Sequence, residues 1–126
     1  MKIFIFILLF INTLFANIIL NKEITKKSNF VLEEFFDSSK KITINEIENE
    51  TFETTPSQFT FGHKRGNIWF KFSITNDSLN ENFILNFSEP YYKEMTLFRQ
   101  VDNIWQSEEN GLIVPLKQRK VLHHHP

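Results

Sequence analysis

One eight-residue segment, residues 68–75 with the sequence IWFKFSIT, constrains the fold more than any other part of this chain. Its apolar residues alternate with mainly polar ones. Successive side chains of a β-strand point to opposite sides, so this period of two predicts a strand with one buried face. The buried set is Ile68, Phe70, Phe72 and Ile74, and the opposite set is Trp69, Lys71, Ser73 and Thr75.

Further strands are predicted on both sides of this segment. Residues 29–36 have β character, Phe83, Leu85 and Phe87 repeat the alternation, and residues 94–100 alternate again before a polar turn at 101–103. Strands at regular intervals joined by polar turns indicate an antiparallel sandwich or barrel. We therefore expect an all-β fold with one short helix near residues 43–50. Thr43 would cap that helix and Glu46 would follow three residues later.

The first sixteen residues read as an export signal. Lys2 precedes an uninterrupted apolar run, residues 3–11, and a small residue, Ala16, ends the segment. The run is shorter than the roughly 20 residues that a membrane-spanning helix needs, so a cleaved signal peptide is favoured over an uncleaved anchor. We expect a signal over residues 1–16, a flexible lead-in over 17–28, a β-sandwich domain over 29–126 and a periplasmic location.

Composition excludes several classes of protein. The chain has no cysteine, so it has no disulfide, no thiolate nucleophile and no cysteine-ligated zinc. Its net charge is −1, and its groups of basic residues, at positions 22–27, 40–41 and 117–120, are interleaved with acidic residues or separated by them. Nucleic-acid binding requires a concentrated positive surface, so we expect no nucleic-acid partner.

Candidate catalytic and metal-binding groups are weak. His123, His124 and His125 are adjacent, so on a strand they would point to alternate sides and could not share one ion. The acidic pairs, such as Glu33 with Glu34, have the pattern of a solvated face. With three glycines in all, the chain also lacks a phosphate-binding glycine loop. We expect no enzyme activity, no metal and no cofactor.

Four residues are candidates for binding a small ligand: Trp69, Lys71, Arg99 and Arg119. An aromatic ring beside a cation on the second face of a strand can stack against a sugar or another flat organic molecule. The guanidinium of Arg119 could bind a carboxylate or phosphate. Each of these two roles has an open alternative. Trp69 could instead pack beneath a loop or the N-terminal helix, and Arg119 could instead pin a loop to the sheet.

The order of these features resembles the second type of 7TMR-DISM extracellular domain, the sensor domain of bacterial seven-transmembrane receptors with diverse intracellular signalling modules. The likeness covers nearly all of the chain after the leader. It is carried by Phe61-Gly62, by the segment from Asn67 to Asn76, by Phe83-Ile84-Leu85, by residues 94–98 and by residues 111–119. Phe98 stands where that family usually has tyrosine.

This resemblance implies a jelly-roll-like sandwich similar to carbohydrate-binding modules, placed outside the inner membrane ahead of seven helices and an output domain. Family members continue with further strands beyond the position of Pro126, so we expect a fold that is incomplete at its C-terminal end. The expected function is a periplasmic module that binds a small ligand, carbohydrate or carboxylated, as a fragment of a membrane receptor. The alternative is an envelope assembly protein whose exposed sheet edge pairs with a partner chain.

Overall fold

The computed structural model describes residues 16–22, 27, 29–58, 62, 64–80, 82–86 and 92–119. Within them the fold is all-β, as predicted, and the helical residues form two 3₁₀ turns, Ile47–Asn49 and Leu116–Gln118. The first of these turns lies where we expected a short helix. The strands are β1 Asn17–Leu20, β2 Val31–Asp37, β3 Glu53–Pro56, β4 Asn67–Lys71, β5 Ser73–Asn76, β6 Met95–Val101 and β7 Ile104–Asn110.

The chain divides into two compact units. Unit 1 comprises residues 1–42 and 49–81, and unit 2 comprises residues 43–48 and 82–126. In unit 1, β2 is the central strand of an antiparallel sheet with the order β3-β2-β4. Leu32 of β2 lies opposite Thr55 of β3, and Phe35 lies opposite Trp69 of β4.

The predicted strand over residues 68–75 is present, but it is broken at Phe72 into β4 and β5. β4 pairs with β2, whereas β5 pairs in parallel with β1, with Ile18 opposite Ile74. All four residues of β5 are exposed. The alternation in the sequence therefore predicts the strand conformation, but it does not reveal the change of partner.

Part of the segment that we expected to be a flexible lead-in, residues 17–28, forms the N-terminal strand. Residues 17–20 form β1, in which Ile18 and Leu20 are buried and alternate with exposed residues. The amide of Ser73 donates a hydrogen bond of 2.8 Å to the carbonyl of Ala16, which continues the pairing of β1 with β5. The remainder of the predicted leader, residues 1–15, lies outside the described residues.

The core of unit 1 lies between β1 and one face of the three-stranded sheet. Ile18, Leu20 and Leu32 form its buried cluster, and partly buried phenylalanines pack against them: Phe30, Phe70 and Phe72. Phe70 and Phe72 are two of the four apolar residues that the alternation places on the buried face. β1 is thus a layer of the sandwich, because it supplies two of the three residues of this cluster.

Unit 2 contains the hairpin formed by β6 and β7. Asp102 and Asn103 connect the strands, and both have positive φ angles, 50° and 61°. Two successive residues of positive φ form the type I′ turn whose twist matches that of an antiparallel hairpin. The turn predicted at residues 101–103 is therefore present.

The prediction of a strand around Phe83, Leu85 and Phe87 is wrong for the described residues 82–86. Residues 82–86 have no strand pairing, and Ile84 is 74% exposed. Phe87 lies outside the described residues. A period-two pattern favours a strand only where a neighbouring strand accepts its hydrogen bonds.

The first 3₁₀ turn follows a reciprocal arrangement of Thr43 and Glu46. The backbone amide and the hydroxyl of Thr43 both donate to the Glu46 carboxylate, at 2.9 and 2.8 Å. The Thr43 carbonyl in turn accepts bonds from the amides of Glu46 and Ile47. The predicted capping pair thus forms, and the turn that it starts ends at Asn49. Within the described residues, no helix is long and apolar enough to cross a membrane.

Asp37, the last residue of β2, organises the loop that follows. Its side chain is 2% exposed. One carboxylate oxygen accepts bonds from the amides of Ser39 and Lys40 and from the Ser39 hydroxyl, and the other accepts a bond from the amide of Ile42. The loop holds Lys40 at a φ of 60°. The Ser39 hydroxyl, helped by these amides and opposed by burial, lowers the pKa of Asp37.

This lowered pKa predicts an acid-sensitive fold. A carboxyl group whose pKa is lower when folded than when unfolded stabilises the fold fully above its unfolded pKa of about 3.9. That stabilisation is lost as the pH falls below this value and through the folded pKa. We therefore expect the free energy of unfolding to decrease as the pH is lowered below about 4. Urea denaturation at pH values from 2 to 7 measures this change.

Asp37→Asn should lower stability at neutral pH and reduce this dependence on pH. Glu46→Gln is the matched control, because the pKa of Glu46 is also lowered, first by the Thr43 amide and then by the Thr43 hydroxyl, but at an exposed turn. Equal effects of the two substitutions on the acid dependence would contradict the assignment to Asp37.

Gly66 allows the chain to pass close to β2. A Cβ atom at this position would lie 2.5 Å from the Phe36 ring and 2.7 Å from the backbone oxygen of Asp37. We expect Gly66→Ala to lower the free energy of unfolding by about 1–3 kcal/mol, as overpacking does elsewhere. Chemical denaturation measures this change. At Gly62, φ is +60° and no atom lies within 4 Å, so Gly62→Ala reports the conformational cost alone, about 1 kcal/mol. If the Gly66→Ala variant were as stable as wild type, the close approach of Gly66 to Phe36 and Asp37 would be refuted.

Candidate functional site

The candidate site is the face of the β3-β2-β4 sheet that points away from the core of unit 1. Leu32 and Phe70 lie on the core side. Because side chains alternate along each strand, Phe35 of β2 lies on the opposite side together with Trp69 and Lys71 of β4. We call Phe35, Phe52, Trp69 and Lys71 the aromatic face.

The members of the aromatic face are close to one another. Phe35 stands directly opposite Trp69 in the pairing of β2 with β4. The ring centroids of Phe35 and Phe52 are 5.9 Å apart and their planes are inclined at 47°. Tilted pairs at this separation are favoured by the quadrupoles of the rings. Phe52 precedes β3, so the three aromatic rings come from three neighbouring positions across the sheet.

Lys71 is held at this face by a cation–π contact. Its ammonium nitrogen lies 5.4 Å from the centroid of the Phe52 ring, within the range in which a ring attracts a cation. In the strand pairing, Lys71 lies opposite Glu33. The face therefore combines aromatic surface with a positive charge and a neighbouring carboxylate.

The sequence left open whether Trp69 stacks against a ligand or packs beneath other parts of the chain, and its burial bears on both possibilities. The three aromatic side chains are half-buried. Trp69 is thus partly covered, and it also retains exposed surface. The sequence singled out Trp69 and Lys71, and the structure places both on one strand and one face.

Phe35 and Phe52 were not identified from the sequence. Phe35 belongs to a run of two phenylalanines, Phe35-Phe36, in which alternation alone does not show which ring faces the core. Phe52 lies just outside β3, after a segment that we predicted to be helical. The register of β2 with β3 is what brings Phe52 beside Phe35, because Glu34 pairs with Glu53.

A shallow groove lies farther along the same sheet. Its volume is about 410 Å³, and it is lined by residues at the start of β2 and the end of β3: Asn29, Phe30, Val31, Pro56, Ser57 and Gln58. Ser57 and Phe30 hold the two strands together at this end, since the Ser57 amide donates to the Phe30 carbonyl at 2.8 Å. By alternation Val31 shares the side of Phe35, whereas Phe30 packs against the core cluster. The groove therefore lies at the end of the sheet and is not a simple continuation of the aromatic face.

The other two candidates, Arg99 and Arg119, lie in unit 2. Arg99 is exposed on β6, opposite Gln106 of β7. Arg119 is half-buried, and its Nε donates a hydrogen bond of 2.9 Å to the carbonyl of Val114. The hydrogen bond to Val114 supports the alternative in which Arg119 pins a loop. Within unit 1, Trp69 and Lys71 lie together on the aromatic face.

Metal chemistry has no visible place in the part of the chain that the structure describes. No group of three or more His, Asp or Glu side chains there is arranged to hold a metal ion. The residues His63, His123, His124 and His125 lie outside that part.

Comparison with known proteins gives one result. The sequence model of the family described as 7TMR-DISM extracellular 2 matches residues 31–126. No curated protein and no solved structure matches the chain. The matched region includes β2 through β7, and therefore the whole aromatic face.

The contact of Arg119 generates a stability prediction. Arg119→Ala removes the hydrogen bond to Val114 and should lower the free energy of unfolding by about 1 kcal/mol. Arg99→Ala is the matched control and should change it by less than about 0.5 kcal/mol, because Arg99 is exposed. Thermal and chemical denaturation of both variants measure the difference. A larger loss for Arg99→Ala would show that the arginine roles are reversed.

Proposed function

Because the chain belongs to the 7TMR-DISM extracellular 2 family, we propose that it is a periplasmic sensor module that binds a small organic ligand and performs no catalysis. In this proposal the ligand is a carbohydrate or a compact carboxylate. The module supplies the input of a bacterial membrane receptor whose output domain lies elsewhere.

The observation that carries the proposal is the aromatic face. A three-stranded sheet needs only one face to form a core with β1, and here that face is supplied by Leu32, Phe70 and their neighbours. The other face still bears three half-buried aromatic rings and a lysine. Binding sites for small molecules are lined mainly by apolar and aromatic side chains with a few polar groups to orient the ligand.

The chemistry of the face favours a flat ligand with acceptor groups. The rings of Trp69 and Phe35 offer apolar surface to the C–H side of a sugar or to a planar acid. The ammonium of Lys71 offers up to three donors to hydroxyl or carboxylate oxygens. Its contact with the Phe52 ring, at 5.4 Å, limits the freedom of the side chain and so lowers the entropic cost of binding.

The family and the predicted leader together support export. A domain described as extracellular acts outside the cytoplasm. Residues 1–16 have the pattern expected of a signal peptide, and we propose that they direct the chain to the periplasm.

The second candidate, assembly through an open sheet edge, is favoured by the hairpin of unit 2. Among the described residues, β6 and β7 form a sheet of two strands, and Leu97 and Val101 of β6 are 39% and 43% exposed. Light scattering after gel filtration separates the two candidates. A defined oligomer that forms without any ligand supports assembly, and a monomer supports sensing.

Ligand binding is tested by thermal denaturation of the full chain with a panel of soluble sugars and small carboxylic acids, followed by calorimetric titration. At about 100 times Kd, a ligand should raise Tm by about 5–10 °C. Trp69→Phe and Lys71→Gln should each weaken binding about tenfold, which corresponds to about 1.4 kcal/mol.

Trp105→Phe is the matched control because Trp105 is also half-buried on a strand, β7 in unit 2. It should leave the affinity unchanged. An equal loss in Trp105→Phe, or the absence of any Tm shift across the panel, would count against ligand binding at the aromatic face.

A further inference from the structure

The loop of residues 111–119 exposes large aliphatic side chains at high density. Leu112 and Ile113 are each 55% exposed and Leu116 is 62% exposed, whereas Val114 between them is 8% exposed. Within residues 112–116, three aliphatic side chains thus expose apolar surface, whereas the buried side chain of Val114 anchors the loop. We call residues 111–119 the aliphatic loop.

The backbone of the aliphatic loop is held by hydrogen bonds within the loop and by hydrogen bonds to residues 92–93 of the same chain. The amides of Leu112 and Ile113 donate to the carbonyls of Tyr92 and Lys93, at 2.9 and 3.2 Å. The amide of Val114 donates to Gly111 within a turn. Gly111 is suited to this turn, because its φ is 112° and a Cβ there would lie 2.6 Å from the Lys93 oxygen.

The second half of the loop is satisfied in the same way. Pro115 has no amide hydrogen, and the amides of Gln118 and Arg119 donate to the carbonyls of Pro115 and Leu116. Arg119 adds the bond from its Nε to Val114. The loop therefore presents its aliphatic side chains on a fixed backbone, most of whose donors already have partners. A segment can enter an apolar medium only under this condition.

The charges within the aliphatic loop are all positive. Lys117 and Arg119 lie in the loop, which contains no acidic residue, and Lys93 lies on the segment that accepts its hydrogen bonds. The nearest acids in the chain are Glu94, which follows Lys93, and Glu109 near the end of β7. The loop itself therefore carries two positive charges and no negative charge.

We propose that the aliphatic loop docks the module onto the surface of an anionic lipid bilayer. Leu112, Ile113 and Leu116 insert at the boundary of headgroups and acyl chains, and the basic residues remain among the lipid phosphates. Apolar residues beside lysines and arginines are the combination that binds such interfaces. This site is distinct from the aromatic face, and the proposal stands whether or not the module binds a small ligand.

Sedimentation with lipid vesicles tests the proposal on the full chain. The probes are vesicles of phosphatidylcholine alone and of phosphatidylcholine mixed with phosphatidylglycerol. We expect binding to the anionic vesicles that weakens when salt is raised from 0.1 to 1 M, since charges are then screened over about 3 Å instead of about 10 Å. Binding to the neutral vesicles should be several-fold weaker.

Two triple variants distinguish binding through the aliphatic loop from non-specific binding through any exposed apolar side chains. Leu112→Ser with Ile113→Ser and Leu116→Ser should weaken vesicle binding by more than tenfold. The control combines Leu79→Ser, Ile84→Ser and Ile104→Ser, whose side chains are 85%, 74% and 67% exposed, and it should bind like wild type. All three proteins carry the same apolar residues 3–11 if the leader is retained, so the leader contributes equally.

The proposal is overturned if both triple variants bind equally, or if wild type binds neither kind of vesicle. It is also overturned if gel filtration with light scattering shows a dimer that only the loop variant loses, because the loop would then contact a second copy. Circular dichroism of each variant confirms the fold. Should the triple variant unfold, Lys93→Gln with Lys117→Gln replaces it and should reduce binding to the anionic vesicles alone.

Discussion

The pairing of β2 with β3 on one side and β4 on the other is the constraint on which unit 1 depends. It fixes the register, and alternation along the strands then assigns each side chain to one of two faces. Leu32 and Phe70 reach the core beside β1. Phe35 and Trp69 stand opposite each other on the other face. A shift of one residue in this register would exchange the two sets, so the core and the aromatic face are specified together.

Asp37 marks the point at which this pairing ends. The residue lies opposite Asn67 at the end of the register, and its carboxylate collects the donors of the loop that follows. A buried carboxylate without these donors would cost much free energy. The close approach of Gly66 to Phe36 and Asp37 occurs at the same end. The end of the register, the loop conformation and the predicted acid dependence of stability therefore meet at one residue, Asp37.

The sequence predicts those features whose cause is local. The β character of residues 29–36 predicts β2, and alternation predicts β4 and β6. The types of residues at 102 and 103 suit a tight turn, and Thr43 with Glu46 forms the expected pair. It fails where the cause is a distant partner. β1 is four residues long and is stabilised by β5, more than fifty residues away, whereas residues 82–86 have the pattern of a strand without the pairing. For the same reason, the sequence identified only part of the aromatic face. Trp69 lies in the clearest predicted strand, but Phe35 and Phe52 join it only through the register.

Nuclear magnetic resonance of the two tryptophan indole groups tests the central claim most directly. The chain has two tryptophans, Trp69 on the aromatic face and Trp105 on the hairpin of unit 2. Each gives one indole N–H signal, which substitution of either residue assigns. During titration with a sugar or carboxylate that raises Tm, binding at the aromatic face requires the Trp69 signal to move in a saturable way while that of Trp105 stays in place. Movement of Trp105 alone would contradict the proposed site.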